Sequence, residues 1–379
     1  MNQKEYIGFD SIKSLESVLA ELPAKKVFLV TGKTSYIKSG AKDRLSGLLA
    51  KYIFQRFWNF DRNPNANDLE RGIEVFNQDD YDVVIAVGGG SVIDTAKLIN
   101  FSAVNNLNIR EHLRNPRSNI RKPKPLIAIP TTAGTGSETT HFAVLYFETT
   151  KYSLAHKYIL PDVAIVDPAL TMSMPKYITA TTAMDALGQA IESYWSINSN
   201  DKSKRFAKDA IELIISNLTT AVNSPSVSAR FAMAKAANLS GKAINITNTT
   251  ASHAVSYPLT SYFGIPHGHA VALTLPAMLE YNAGANDDDV LDSRGYKYVQ
   301  KTTSEIIRLW GQNNVADTKQ AMSDLIYKVG LETKLSRLGV NSPEDIKTII
   351  TNSFNSDRMA NNPRKVTKKG LRKILETTY

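Results

Sequence analysis

A chain of 379 residues, 42% of them apolar, has material for two hydrophobic cores and not the composition of a disordered chain. The net charge of +9 is interspersed with acids. The denser basic clusters at 114–124 and 368–373 lack the interleaved aromatics of a strand-binding groove, so no nucleic acid is expected and the positive field suits an anionic cofactor or substrate. With no cysteine, disulfides, thiolate nucleophiles and zinc–cysteine sites are excluded, and any metal must be held by nitrogen and oxygen. No apolar run reaches the roughly 20 residues of a membrane span, and Met1-Asn2-Gln3-Lys4-Glu5 leads into folding sequence without a signal peptide; a cytoplasmic protein with no membrane partner is expected.

The segment Lys26-Val27-Phe28-Leu29-Val30-Thr31-Gly32 is short, apolar and β-branched, and reads as a buried parallel strand ending in a turn. Asn67-Asp68-Leu69-Glu70 has the form of a capping box and predicts a helix through about residue 77. A second strand, 81–87, runs into Gly88-Gly89-Gly90-Ser91, and 91–99 reads as a helix. This strand–helix–strand succession predicts helices covering a parallel sheet. At such a Gly-rich turn, backbone N–H groups and the helix dipole form a phosphate site, although a tight turn explains the glycines as well. A third strand, 126–129, ends at Pro130-Thr131-Thr132-Ala133-Gly134-Thr135-Gly136-Ser137-Glu138, where hydroxyls and glycines suit wrapping a pyrophosphate or nicotinamide. No strand–GxGxxG–helix unit occurs.

From about residue 178 strand signals fade and long helices follow, at 178–196, 204–222 and 229–244. Asp185 and Gln189 are four apart and share a helix face. His253 opens another helical stretch, and His267 follows a break at Gly264-Ile265-Pro266. A carboxylate, an amide and two imidazoles are metal-ligand chemistry. Singly, each also reads as an ordinary helix or core residue, and His269 is as good a ligand candidate as His267.

Read together, these motifs resemble the iron-containing, group III alcohol dehydrogenase family. The resemblance rests on Val87 to Ser91 with Asp94, Ile129 to Glu138, Asp167-Pro168, Met184-Asp185-Ala186-Leu187 and Pro266-His267-Gly268-His269, and runs from near the N-terminus to Asn362-Pro363-Arg364. It implies an α/β N-terminal dinucleotide-binding domain with a parallel sheet, 1–175, and an all-α C-terminal metal-binding domain, 176–379, the architecture of dehydroquinate synthase. The carried-over metal ligands are Asp185, Gln189, His253 and His267, holding a divalent ion, Fe(II) first with zinc or manganese as alternatives. The carried-over cofactor positions are Gly32, Lys33, Gly88, Gly89, Gly90, Ser91, Asp94, Thr131, Thr132, Thr135, Ser137, Thr140 and Lys151. A homo-oligomer, a dimer, is expected.

Three positions depart from the family pattern. The family has histidine where Gln189 stands; glutamine ligates through its amide oxygen, a hard neutral donor that binds less tightly than imidazole. Tyr257 stands where many members place a proton-relaying histidine, so Tyr257, His141, His269 or water at the metal takes that role, and a phenol with an unperturbed pKa of about 10 is the slower relay. Gly32 replaces the aspartate that holds the ribose 2′-hydroxyl in NAD-preferring members, and Lys33 attracts a 2′-phosphate, which favours NADPH, with NADH as the alternative.

Residues 189–196, 141–144 and 257–269 are most similar to the phosphonoacetaldehyde reductase, or hydroxyethylphosphonate dehydrogenase, branch. That implies metal-assisted, NAD(P)H-dependent reduction of a small anionic aldehyde, phosphonoacetaldehyde, to 2-hydroxyethylphosphonate. Its phosphonate needs basic or hydroxyl partners: Arg358 first, then Lys242, Thr249, Thr250, Ser256 and Arg364. The alternatives are a family dehydrogenase for another small aldehyde or alcohol, a sugar-phosphate cyclase-like enzyme, and a metal-free nucleotide-binding protein.

Overall fold

The computed structural model describes residues 3–61, 64–147, 150–354 and 357–379. The chain divides into two compact units, Met1–Met174 and Pro175–Tyr379.

The first unit carries β1 (Lys4–Ile7), α1 (Ser14–Glu21), β2 (Lys26–Thr31), α2 (Ser35–Lys38), α3 (Ala41–Leu49), β3 (Ile53–Phe57), α4 (Ala66–Phe76), β4 (Val83–Gly88), α5 (Gly90–Asn105), α6 (Ile109–Arg114), β5 (Leu126–Pro130), β6 (Phe142–Phe147), β7 (Thr150–Ala155) and β8 (Val163–Val166). Six strands form an all-parallel sheet in the order β1-β8-β5-β4-β2-β3, and β6 and β7 pair antiparallel apart from it. The three strands read from the sequence are therefore its centre. Their residues are apolar throughout because both faces are covered. Phe28, Val30, Val84, Ala86 and Ala128 join one core cluster, while Val27, Leu29, Val83, Ile85, Val87, Ile127 and Ile129 join the other. The chain moves outward from β2 to β3, then returns to the other side of β2 for β4 and continues to β5. The order reverses between β2 and β4, and the crevice at their carboxyl ends is where open α/β sheets bind ligands. Gly32 and Gly88 to Ser91 stand there.

The expected capping box starts two residues late. Asn65 is the N-cap of α4, accepting from the Asp68 backbone N–H at 2.9 Å. Asn65 and Asp68 repeat the same polar-x-x-acid spacing, and Asp68 is buried, accepting from the Asp61 N–H.

The second unit is helical: α7 (Lys176–Trp195), α8 (Asp201–Asn223), α9 (Val227–Thr247), α10 (Ala251–Phe263), α11 (His267–Ala283), α12 (Tyr296–Leu309), α13 (Val315–Lys328), α14 (Pro343–Ser353) and α15 (Lys368–Glu376), with a 3-10 turn at Asp357–Asn361. Helix α7 is buried over almost its whole circumference and packs against α8, α9 and α11, as expected of a helix without a solvated face. Among the described residues no helix is long and apolar enough to cross a membrane.

Phe28 is fully buried between the rings of Phe57, Phe76 and Tyr81. Phe28→Ala is expected to lower unfolding free energy by about 3–5 kcal/mol, measured by urea denaturation; a change below about 1 kcal/mol would contradict this packing.

Candidate metal centre and nucleotide turn

Three α7 side chains at one-turn intervals, Asp185, Gln189 and Glu192, lie on one face of the buried helix. Helix α10 delivers His253 and stops at Gly264, whose left-handed backbone (φ 68°) forms its C-cap, and α11 begins at His267 with Pro266 as its N-cap. Gly268 allows α11 to approach: a Cβ there would lie 1.9 Å from the Thr181 carbonyl oxygen and 2.9 Å from Asp185 Cβ.

The two histidines turn the same nitrogen to the same carboxylate. His253 Nε2 lies 3.3 Å and His267 Nε2 3.7 Å from Asp185 Oδ1. Their other nitrogens are anchored: His253 Nδ1 lies 2.6 Å from Glu192 Oε2, and His267 Nδ1 is 3.0 Å from Ser256 Oγ. Asp185, His253 and His267 offer ligand atoms that all lie within 4.8 Å of one another. Donors bound at about 2.1 Å around a tetrahedral cation stand about 3.4 Å apart, so this spacing fits one divalent ion. Anchored Nδ1 atoms and outward Nε2 atoms are the arrangement that metal-ligating histidines adopt.

Glu192 is a supporting residue of this cluster that sequence reasoning missed. It is fully buried and accepts from the backbone N–H groups of Thr250 (2.8 Å), Ser252 (2.6 Å) and His253 (3.3 Å) as well as from His253 Nδ1. Burial pushes its carboxyl up, but the His253 charge and these hydrogen bonds outweigh it and hold the carboxyl below its usual range. Burial likewise pushes the His253 imidazolium down, yet Glu192 and Asp185 raise it to about 9. A cation held at this position would take the place of a proton on His253 Nε2. The signal was present in the sequence, since Glu192 follows Asp185 by seven and falls on the same helix face.

Gln189 is held by Ser240, whose Oγ lies 3.1 Å from Oε1 and 2.9 Å from the Ala237 carbonyl oxygen. One hydroxyl proton serves one of these bonds. In this arrangement the amide oxygen is turned to Ser240, and ligation of a cation by Gln189 would require the two ends of the amide to exchange, with Nε2 donating to Ser240 and the hydroxyl proton going to Ala237.

The other carried-over residues separate by location. Tyr257 stacks on His267, with centroids 6.0 Å apart. His269 is a correction: it is buried, and Nε2 donates to the Glu332 carbonyl oxygen at 2.7 Å, away from the cluster that His267 joins. His141 lies in the first unit beside Phe142. Thr250 Oγ1 accepts from Trp195 Nε1, and the Thr249 carbonyl oxygen from Asn361. Arg364 is also corrected, because its guanidinium is committed to Asp289 at 2.8 Å and to the Tyr281 carbonyl oxygen, stacked on the Tyr281 ring. Lys242 reaches over Phe206 of α8, whereas Ser240, two residues earlier and on a different side of α9, meets α7. The 3-10 turn carrying Arg358 packs on α10.

In the first unit, Gly89 caps α5 and the turn lies close under a hydroxyl-rich loop. A Cβ on Gly89 would meet Thr132 Oγ1 at 3.2 Å, and one on Gly90 would meet Thr135 Oγ1 at 2.7 Å. Thr131 is buried. Asp94, Ser137 and Thr140 bond within the protein: Asp94 accepts from Ser137 Oγ and from the Val144 N–H, and Ser137 and Thr140 accept from Lys97. Lys151 stands opposite Tyr146 in the β6–β7 pair. At the end of β2, Arg56 donates to Thr31 Oγ1 at 2.7 Å and to the Gly32 carbonyl oxygen at 3.3 Å, and both Arg56 and Lys33 lie over the Trp58 ring. Arg56 escaped the sequence reading because its parallel register with Leu29 brings it there.

Glu192→Gln keeps the shape but removes the charge that fixes His253. Metal affinity is expected to fall about 10–100-fold, measured by chelator competition; unchanged affinity would contradict the assigned role.

Residues 2–168 match the family described as iron-containing alcohol dehydrogenase, and residues 179–379 match the Fe-containing alcohol dehydrogenase family, C-terminal. The chain is 37% identical over 281 residues to long-chain-alcohol dehydrogenase 1 of Geobacillus thermodenitrificans, covering 73% of this chain and 71% of that one. It is 32% identical over 303 residues to the phosphonoacetaldehyde reductase of Streptomyces viridochromogenes, covering 78% and 75%. Among solved structures, sulfoacetaldehyde reductase from Bifidobacterium kashiwanohense in complex with NAD+ superposes with a TM-score of 0.89 at 30% identity, covering 99% of this chain and 96% of that one. With both units matched and the donor cluster in the second, this chain belongs to the iron-containing alcohol dehydrogenase family and is an oxidoreductase.

Proposed function

We propose that the protein reduces phosphonoacetaldehyde to 2-hydroxyethylphosphonate with NADPH, using a divalent metal, Fe(II) first, held by Asp185, Gln189, His253 and His267. The observation that carries the metal-assisted reading is the convergence of two anchored imidazole Nε2 atoms on one buried carboxylate. When bound, the ion supplies Lewis acidity toward the aldehyde oxygen. Glu192 and Ser256 do the orienting, since they keep both Nδ1 atoms engaged and both Nε2 atoms presented. The aldehyde carbon takes a hydride from NADPH, the product oxygen takes one proton, and NADP+ leaves. Tyr257, stacked on His267, is the phenol that donates that proton.

Support for NADPH comes from the end of β2, where a glycine stands beside Lys33 and Arg56, two cations suited to a 2′-phosphate. NADH remains the second cofactor to compare. Support for an anionic aldehyde comes from the similarity to phosphonoacetaldehyde reductase and sulfoacetaldehyde reductase, whose named substrates are two-carbon aldehydes with an anionic head. Arg358 is our first choice for the phosphonate, because its turn packs on the helix that bears His253. A second reading, an uncharged alcohol or aldehyde, is favoured by the similarity to long-chain-alcohol dehydrogenase 1.

Turnover of phosphonoacetaldehyde against butyraldehyde, with NADPH and with NADH, decides between them. The phosphonate reading expects a higher kcat/KM for phosphonoacetaldehyde, lost by about 10–100-fold in Arg358→Ala with butyraldehyde unaffected. Equal efficiency on both aldehydes would overturn it.

A further inference from the structure

One buried cation in the first unit has no part in the chemistry above. The Lys97 side chain is fully enclosed on α5. Its ammonium lies 2.7 Å from the Ser137 carbonyl oxygen, 2.8 Å from that of Thr140 and 2.9 Å from that of Phe142, with the Ser137 and Thr140 hydroxyls at 3.2 and 3.1 Å. An ammonium has three hydrogens and accepts none, so three converging carbonyls match its donors. Asp94, one turn earlier, grips the same segment through Ser137 Oγ and the Val144 N–H, 4.0 Å from the Lys97 ammonium. Burial pushes Lys97 down to about 8, opposed by Asp94 and Glu138.

The gripped segment continues from the loop that lies over the Gly-rich turn. The Ser137 N–H donates to Thr135 Oγ1 at 3.3 Å, and Thr135 is the residue that a Cβ on Gly90 would strike. A buried charge is retained where its full set of partners fixes one arrangement.

We propose that Lys97 is a positioning residue for the dinucleotide: by drawing the carbonyls of Ser137, Thr140 and Phe142 onto one nitrogen, it holds Thr132 and Thr135 over Gly89 and Gly90 and so sets cofactor affinity without touching the cofactor. This rests on reading residues 88–91 as the dinucleotide turn.

The test is NADPH binding to the metal-loaded 379-residue chain by fluorescence titration, with aldehyde kinetics alongside. Lys97→Met is expected to raise the NADPH Kd about tenfold or more. The aldehyde KM, metal content and kcat at saturating NADPH should stay near wild type, and Lys97→Arg should recover part of the affinity. Should Lys97→Met fail to fold, Thr140→Val, which removes a hydroxyl from the same network at nearly constant volume, is expected to raise Kd severalfold. Gly90→Val tests the underlying reading: if it leaves the Kd unchanged, the turn is not the cofactor site. If Gly90→Val weakens NADPH but Lys97→Met and Thr140→Val bind as wild type, or lose metal and kcat in proportion to affinity, the positioning role is overturned alone.

Discussion

Helix α7 places Asp185 and Glu192 where water barely reaches, and buried carboxylates demand compensation. Glu192 finds it internally, in three backbone N–H groups at the start of α10 and the Nδ1 of His253. Asp185 faces two imidazole nitrogens and the space between them. The positions of α10 and α11 follow from this pair of anions. One helix is docked by its N-terminal amides, and the other is brought close enough by Gly268 for His267 to reach the same oxygen.

The first unit solves a different problem with related physics. The strand order of its all-parallel sheet reverses between β2 and β4, which opens a crevice at the strand ends, and the residues lining it are small because backbone must approach closely. Small residues bring little rigidity of their own. Rigidity arrives from beneath, through the Asp94 and Lys97 side chains that α5 sends into the loop following β5. Arg56 and Lys33 supply positive charge at the outer end of the same crevice.

Much of this was legible in the sequence. The central strands announced themselves as unbroken apolar runs because a sheet covered on both faces leaves no polar positions. Asp185 and Gln189 stood four apart on one helix face, but the choice of His267 over His269 and the grouping of all four as ligands came from the family resemblance. What stayed hidden were supporting roles that come from long-range contacts: Ser240, Lys97 and Arg56 are ordinary residues until the fold buries or pairs them, Ser256 was read for the phosphonate and not as the partner of His267, and Glu192 showed only its helical phase with Asp185. Lys97 gave one local clue, being a lone cation in an otherwise apolar turn of helix, three residues after Asp94. His269 and Arg364 misled for the converse reason: their chemistry suits catalysis, but tertiary neighbours had already claimed it.

The account turns on whether a site with glutamine at position 189 retains a cation. Metal stoichiometry of the purified wild-type protein, beside Gln189→His and Gln189→Ala and after growth with iron, zinc or manganese, measures this directly. The account predicts one divalent ion per wild-type chain, tighter retention in Gln189→His, and about tenfold or greater loss of affinity in Gln189→Ala. A wild-type protein that holds no metal under any of these conditions, while Gln189→His does, would contradict it.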